Sequence, residues 1–183
     1  MRARILATVL AAVLILSGCA DGQQKAPIEY AESGFEASVS GVMGGVAFEA
    51  LVTAAPPDPA GGERDVSIQF FAPATLAGVT MTRRQGIVRC ECGGVSFDAA
   101  GRAWLDVADL LCARGDVTAI SKMPDSAIVV VSLASGDRIS TITIDTATRL
   151  PLRATLTSPR TVEVEVTGFS RGTAPNPTGG ELF

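Results

Sequence analysis

Apolar and polar residues alternate along most of the chain, which is the pattern of half-buried β-strands. The clearest example lies at residues 162–166, where three valines alternate with Glu163 and Glu165. The same alternation predicts a first hairpin over residues 35–52 and further strands near residues 66–70, 79–83, 87–92, 95–97, 139–144 and 152–156. A continuous apolar run at residues 128–133 predicts a strand that is buried on both faces.

Only one segment shows helical spacing. Between residues 103 and 113, Leu105, Ala108, Leu111 and Cys112 recur at intervals of three and four, and Gly115 suits the C-terminal cap. Asp106 and Asp109 fall opposite this apolar stripe, so we expect them to face solvent. About nine or ten strands with one main helix predict a predominantly antiparallel β (α+β) fold, built as a curved sheet or half-barrel.

A sheet that is apolar on one face needs a cover, and one helix covers only part of it. The sheet must therefore either curl around a closed core or leave an apolar concavity. In the second case the residues in the inward phase of the alternation line a ligand cavity, and the candidates are Phe48, Phe70, Val79, Met81, Phe97, Leu152, Leu156, Val162, Val164 and Val166, with Val95 beside them. Both outcomes fit the pattern.

The N-terminus has the organisation of a secretory signal, with Arg2 and Arg4 before an apolar stretch at residues 5–16. Twelve residues cannot span about 30 Å of hydrocarbon. The end of this stretch, Leu16-Ser17-Gly18-Cys19, resembles a bacterial lipobox, which implies removal of residues 1–18 and acylation of Cys19. Two acyl chains hold a domain durably at a membrane. The alternative is an ordinary secretory signal in which Cys19 is incidental.

After the signal we predict a lipid-anchored tether at residues 19–33, a β-rich domain at 34–170 and a flexible tail at 171–183. Loss of the signal changes the net charge from −4 to −6, because Arg2 and Arg4 leave with it. No basic patch suggests nucleic acid, and an acidic domain depends on its lipid anchor to stay at an anionic surface. The predicted location is the extracytoplasmic face of the cell membrane.

The candidate chemistry is sparse. The sequence contains no histidine, which removes Ser/His and Cys/His nucleophile pairs and the commonest metal ligand. Glu163 and Glu165 share a strand face that alternates with valines, so a solvated outer face is the expected role. No glycine pair opens a helix as a phosphate-binding loop does. We therefore predict no enzyme activity, no cofactor and no metal site.

Three cysteines remain in the domain. Cys90 and Cys92 lie two residues apart, so a strand would place both thiols on one face, from which either could approach Cys112 on the helix. An oxidising compartment favours a disulfide from Cys92 (or Cys90) to Cys112, and Cys92 to Cys112 would close a loop of about 20 residues, stabilising by roughly 3 kcal/mol. The open alternatives are inert buried thiols and a redox or metal-binding function.

Two segments carry a family resemblance. Residues 70–78 (FFAPATLAG) and residues 144–151 (IDTATRLP), the latter followed by a strand and a valine-rich strand ending at Phe169, look like the corresponding segments of LolA/LolB-like envelope proteins. The resemblance covers roughly residues 34–170. It implies a half-barrel wrapped around helices, whose apolar interior binds acyl chains in the lipid-carrying members.

The sequence thus supports two hypotheses. The first is a non-catalytic, lipid-anchored extracytoplasmic protein that binds a lipid or other apolar ligand in the concavity of the half-barrel. The second is a closed-core scaffold or protein-interaction module of the cell envelope, with an envelope protein as its partner. Burial of the Phe48, Phe70 and Phe97 rings separates them: fully packed rings favour the scaffold, and exposed rings at a pocket favour the binder.

Overall fold

The computed structural model describes residues 28–99, 103–124 and 126–172. The predicted signal, Cys19, most of the predicted tether and the tail from residue 173 lie outside these ranges. The strands are β1 (Phe35–Met43), β2 (Val46–Ala54), β3 (Val66–Ala72), β4 (Thr80–Arg84), β5 (Ile87–Cys92), β6 (Val95–Asp98), β7 (Asp116–Lys122), β8 (Ile128–Ser135), β9 (Arg138–Asp145), β10 (Pro151–Ser158) and β11 (Val162–Arg171). One α-helix, α1 (Leu105–Leu111), and one 3₁₀ helix (Glu29–Glu32) accompany them.

All eleven strands form one antiparallel sheet in the order β6-β5-β4-β3-β2-β1-β11-β10-β9-β8-β7. The chain first builds one half as a meander from β1 to β6, then crosses over through α1, and builds the other half from β7 to β11. The two halves join where β1 pairs with β11. Strands β6 and β7 are therefore the two edges of the sheet, and α1 connects them.

Bulges curve this sheet. Register shifts interrupt the pairing of β1 with β11, β2 with β3, β9 with β10, and β7 with β8. A bulge adds one unpaired residue, bends its strand and increases the local twist. The sheet consequently curls into an open half-barrel with α1 on its inner face, which confirms the predicted fold class.

Helix α1 occupies the middle of the inner face and packs against β2, β3, β4, β10 and β11. It is shorter than the predicted span of residues 103–113. It is also buried on nearly every side, including Val107 and Leu110, which lie outside the predicted stripe. The expectation that Asp106 and Asp109 face solvent is wrong, because arginines from the surrounding sheet enclose both carboxylates.

The folded chain begins earlier than residue 34. Tyr30 and Ala31 in the 3₁₀ helix are buried, and Arg64 donates hydrogen bonds to the carbonyl oxygens of Ala31, Ser33 and Ala55. Tyr30 makes edge-on ring contacts with Phe35 and Phe169, with centroid distances of 6.1 and 5.5 Å. Residues 28–33, the last part of the predicted tether, therefore pack against the beginning of β1 and the end of β11.

Strands β7 and β8 depart from the sequence prediction. Strand β7 was not among the predicted strands. Its sequence does not alternate cleanly, because a bulge near Thr118 sits between Val117 and Ala119, and its residues are all exposed. Strand β8 alternates between buried and half-buried residues, so only one of its faces is fully buried. Within the described ranges, no helix combines the length and apolar character needed to cross a bilayer.

Candidate functional site

The inner face carries a continuous apolar ladder whose burial falls toward the β6 edge. Residues directly opposite each other in an antiparallel pair lie on the same face. From β1 to β6 the row reads Ala37, Val52, Ile68, Met81, Cys90 and Phe97. Its first four members are buried, Cys90 is half-buried, and 52% of Phe97 is exposed.

The other half of the sheet ends in the same way. One row runs Val164, Ala154, Ile142, Val131 and Ile120, and the next runs Val162, Leu156, Ser140, Leu133 and Val117. All members on β8 to β11 are buried, whereas Val117 and Ile120 on β7 are 42% and 40% exposed. Apolar inner-face residues thus stand uncovered at both edges of the sheet, on β6 and on β7.

The centre of the inner face is filled. Trp104, just before α1, makes edge-on contacts with Phe48 and Phe70 at centroid distances of 5.5 and 5.0 Å. Both phenylalanines are buried. Trp104 therefore occupies the space between the helix and these two rings.

The ten predicted cavity residues separate into three groups. The buried group is Phe48, Phe70, Met81, Leu156, Val162 and Val164. Val79 and Val166 are half-buried and pack against the core. Phe97 and Leu152 are exposed.

Leu152 and Phe97 are exposed for different reasons. A register shift between Pro151 and Arg153 makes Leu152 the extra residue of a bulge, so it leaves the inward phase that the sequence pattern gave it. Phe97 keeps the inward phase, opposite Cys90, but lies on the edge strand beyond α1. Val95 lies opposite Cys92 on the same strand and is exposed as well.

The inner-face margin on β7 was missed from the sequence. Val117 and Ile120 are three residues apart, and this spacing hides the strand because alternation would require an even interval. The feature that could have predicted β7 is its content of β-branched residues after the predicted helix cap at Gly115, because such residues favour strands.

Two aspartates on α1 form ion pairs that hold the helix against the sheet. Arg83, which is 2% exposed, donates two hydrogen bonds to Asp109, at 2.9 Å and 2.7 Å. The same guanidinium also donates to the carbonyl oxygen of Arg64. At the other end of the helix, Asp106 pairs with Arg138 at 2.6 Å and with Arg160 at 3.2 Å. These pairs satisfy charges that burial would otherwise penalise.

The three thiols lie in different environments. Cys112 is buried at the C-terminal end of α1, and burial raises the pKa of its thiol to about 11. Cys90 is half-buried and Cys92 is exposed at the end of β5, and all three are free thiols. The predicted disulfide between Cys92 or Cys90 and Cys112 is therefore not formed in the structure.

The outer face is polar, as the alternation of Glu163 and Glu165 predicts. Both glutamates line an open groove of about 550 Å³ across β1, β2 and β11. Two of the predicted cavity residues, Phe48 and Val164, line the same groove, so its lining is mixed polar and apolar. Among the described residues, no group of three or more histidine, cysteine, aspartate or glutamate side chains is arranged to hold a metal ion.

Comparison with known proteins concerns the fold. No family model matches the sequence, and no curated protein matches it. An uncharacterized conserved protein from Thermus thermophilus is similar at 17% identity, with a TM-score of 0.50 over 80% of this chain and 84% of that chain. A LolA superfamily protein from Nitrosomonas europaea is similar at 10% identity, with a TM-score of 0.44 over 81% of this chain and 93% of that chain. LprF from Mycobacterium bovis is similar at 13% identity, with a TM-score of 0.39 over 84% and 94%. The solved structures to which this chain is similar therefore include LolA superfamily proteins.

Proposed function

We propose that this protein is a non-catalytic, lipid-anchored component of the cell envelope that holds an apolar ligand, such as an acyl chain, against the uncovered margins of its inner face. The observation that carries this proposal is the exposure of inner-face apolar residues at both edges of the sheet. Phe97 and Val95 stand uncovered on β6, and Val117 and Ile120 stand uncovered on β7. Exposed apolar side chains grouped on one face favour a binding surface over scattered surface residues.

The ligand site of this proposal differs from the one that the sequence suggested. A cavity in the middle of the half-barrel would require room on the side of Phe48 and Phe70 that faces the helix, and Trp104 and α1 occupy that side. No described residue covers the margins in this way. An acyl chain placed there would continue the apolar ladder outward from Met81 or Val131 instead of entering the packed core.

Anchoring supports this role. Acylation at Cys19 would leave eight residues, 20–27, before the first described residue, Ile28. Eight extended residues span at most about 29 Å, so the domain would stay close to the bilayer from which a lipid ligand could come. Cys19 acylation, envelope location and the membrane as partner are parts of this one proposal.

A scaffold or interaction module of the envelope is the second candidate. The packed Phe48 and Phe70 rings favour it, because a filled centre is what a closed-core domain requires. In that case the margins would contact a protein partner instead of a lipid. The two candidates differ in whether the isolated protein takes up a small apolar molecule.

A binding titration separates them. The chain from residue 19 onward, carrying Cys19→Ala to prevent acylation, is titrated with cis-parinaric acid, a fatty acid that fluoresces in apolar sites. We expect saturable uptake that Phe97→Ser and the pair Val117→Ser and Ile120→Ser weaken. Phe71→Ser is the matched control, because Phe71 is 54% exposed but alternates with buried Phe70.

Two results would count against the lipid proposal. Absence of saturable uptake by the monodisperse protein would favour the scaffold. Equal loss in Phe97→Ser and Phe71→Ser would show that uptake follows general surface hydrophobicity and not the inner-face margin. Lipid extraction followed by mass spectrometry of the purified Cys19→Ala chain supplies an independent readout of a bound native lipid.

A further inference from the structure

Three sulfur-containing side chains share one patch of the inner face near the β6 edge. Met81 on β4 lies directly opposite Cys90 on β5. Cys92 follows two residues later on the same strand and therefore on the same face. Diagonal neighbours on adjacent strands remain within reach of a long side chain such as methionine. The register thus groups two thiols and one thioether.

The strand geometry suits a bridging metal ion better than a disulfide. Alternate residues of an antiparallel strand are about 6.8 Å apart, which is the upper end of the Cα separation that a disulfide accepts. Two sulfurs bound to one ion at about 2.3 Å each lie no more than about 4.6 Å apart. Cys90 and Cys92 can meet this looser requirement by leaning toward each other, without the closer approach that an S–S bond needs.

The ligand types select the metal. Thiolate and thioether sulfurs are soft ligands that favour cuprous ion, whereas carboxylates and carbonyls suit hard cations. Glu91 lies between the two cysteines in sequence but pairs with Thr80 and Ser96, which places it on the outer face. On the inner face the patch therefore offers sulfur, with the apolar residues Phe97 and Val95 opposite Cys90 and Cys92, while the Glu91 carboxylate lies on the outer side of the strand.

The patch is open to solvent on one side. Cys92 and Val95, together with the outer-face residues Thr80, Glu91 and Ser96, line a recess of about 390 Å³ beside the Gly93-Gly94 turn, which exposes the Cys92 end of the patch. Gly93 and Gly94 have φ angles of 57° and 82°, values that side-chain-bearing residues rarely adopt, so the turn depends on glycine. Cys92 is exposed while Met81 is buried, so an ion could enter at Cys92 and reach the thioether behind it.

We propose that Met81, Cys90 and Cys92 form a binding site for one cuprous ion. Both thiols lose their protons on binding and the thioether donates a lone pair, so two protons are released and no bond within the chain breaks. Copper enters already reduced, and no oxidant or reductant takes part. Cys112 has no role, because it is buried at the end of α1 among Arg64, Arg83 and Asp109.

The test is an anaerobic titration of the reduced chain from residue 19 onward, with Cys19→Ala to remove the fourth thiol. Cu(I) is supplied as its bicinchoninate complex, whose colour reports transfer to the protein. We expect one copper ion per chain and protection of Cys90 and Cys92, mapped by iodoacetamide labelling and mass spectrometry. Copper transfer is read from the bicinchoninate colour, which lipid uptake does not change, even though the site shares the β6 margin with the proposed lipid.

Variants locate the site. Cys92→Ser changes an exposed residue, so it is expected to fold, and it should abolish transfer at competitor concentrations that load the parent protein. Cys90→Ser should do the same. Met81→Leu, which conserves volume, removes one of the three sulfur ligands and should weaken binding by at least about tenfold, the smallest loss seen when even a supporting group is removed. Cys112→Ala is the matched control and should retain full stoichiometry.

Three outcomes would overturn the proposal. The first is unchanged copper transfer to Cys90→Ser and Cys92→Ser. The second is a stoichiometry of one ion per two chains together with a dimer, which would mean that Cys92 bridges molecules. The third is labelling of both thiols at the parent rate after copper is added. Thermal unfolding of each variant shows whether a lost site reflects lost ligands or a lost fold.

Discussion

The centre and the margins of the inner face are built from the same kind of residue in the same register, yet they differ in burial. Phe70 and Phe97 are both inward-phase phenylalanines, and they are 0% and 52% exposed. The difference comes from α1, a helix of seven residues that covers the middle strands and does not extend over β6 and β7. Alternation therefore decides which face a side chain occupies, and the cover on that face decides whether it becomes core.

The largest expected difference in stability comes from removing one phenylalanine ring from each region. Phe70→Ala should lower the free energy of unfolding by about 3–5 kcal/mol, since it leaves a cavity among Phe48, Trp104 and the sheet. Phe97→Ala should change it by less than about 0.5 kcal/mol, as expected of an exposed position. Urea unfolding measures both. Comparable losses in the two variants would mean that the β6 margin is packed in solution.

Loss of the ion pair between α1 and Arg83 should lower the free energy of unfolding nearly as much as loss of the Phe70 ring. Asp109→Ala removes the carboxylate that accepts two hydrogen bonds from the buried Arg83 guanidinium and leaves it only the more distant carboxylate of Glu63, 3.9 Å away. We therefore expect a loss of about 3 kcal/mol. The surface pair Arg89–Asp98, 3.5 Å apart and largely exposed, is the control, and Asp98→Ala should cost less than about 1 kcal/mol. If Asp109→Ala proved as mild as Asp98→Ala, the helix would be held by apolar packing alone.

Alkaline pH tests the thiol at the end of α1. Burial raises the pKa of Cys112 to about 11 in the folded protein, whereas an unfolded thiol ionises near about 8.5. The folded state therefore keeps a proton that the unfolded state loses, and stability should fall as the pH rises from about 9 to 11, by up to about 3 kcal/mol. Cys112→Ala should flatten this dependence in urea titrations across that range. A slope that survives the substitution would point to another group, with Tyr30 as the next candidate.

The smallest expected change in the free energy of unfolding concerns Tyr30, in the 3₁₀ helix that precedes β1. Its hydroxyl is buried and has no hydrogen-bond partner among the described residues, and burial raises its pKa strongly. An unpaired buried polar group costs free energy, so Tyr30→Phe should stabilise the protein by about 1 kcal/mol. The unfolding midpoint measures the gain. A loss in Tyr30→Phe would show that the hydroxyl has a partner in solution.

Much of the architecture followed from the sequence. Period-two alternation, with the one continuous apolar run, located ten of the eleven strands, because a strand with one buried face must alternate. Helical spacing located α1, because apolar residues on one face of a helix recur every three or four positions. The pattern failed at bulges, where one extra residue reverses the phase: it placed Leu152 inward and it hid β7, whose Val117 and Ile120 straddle a bulge.

The sequence by itself determined the faces of most strands, the presence of one covering helix and the placement of Cys90 and Cys92 on one strand face. Only the tertiary structure decided how far the helix extends over the sheet, that Asp106 and Asp109 meet arginines instead of water, and that Met81 lies opposite Cys90. These features depend on partners far apart in the chain. Local periodicity shows which face of a strand or helix a residue occupies. It does not show which distant segment of the chain packs against that face.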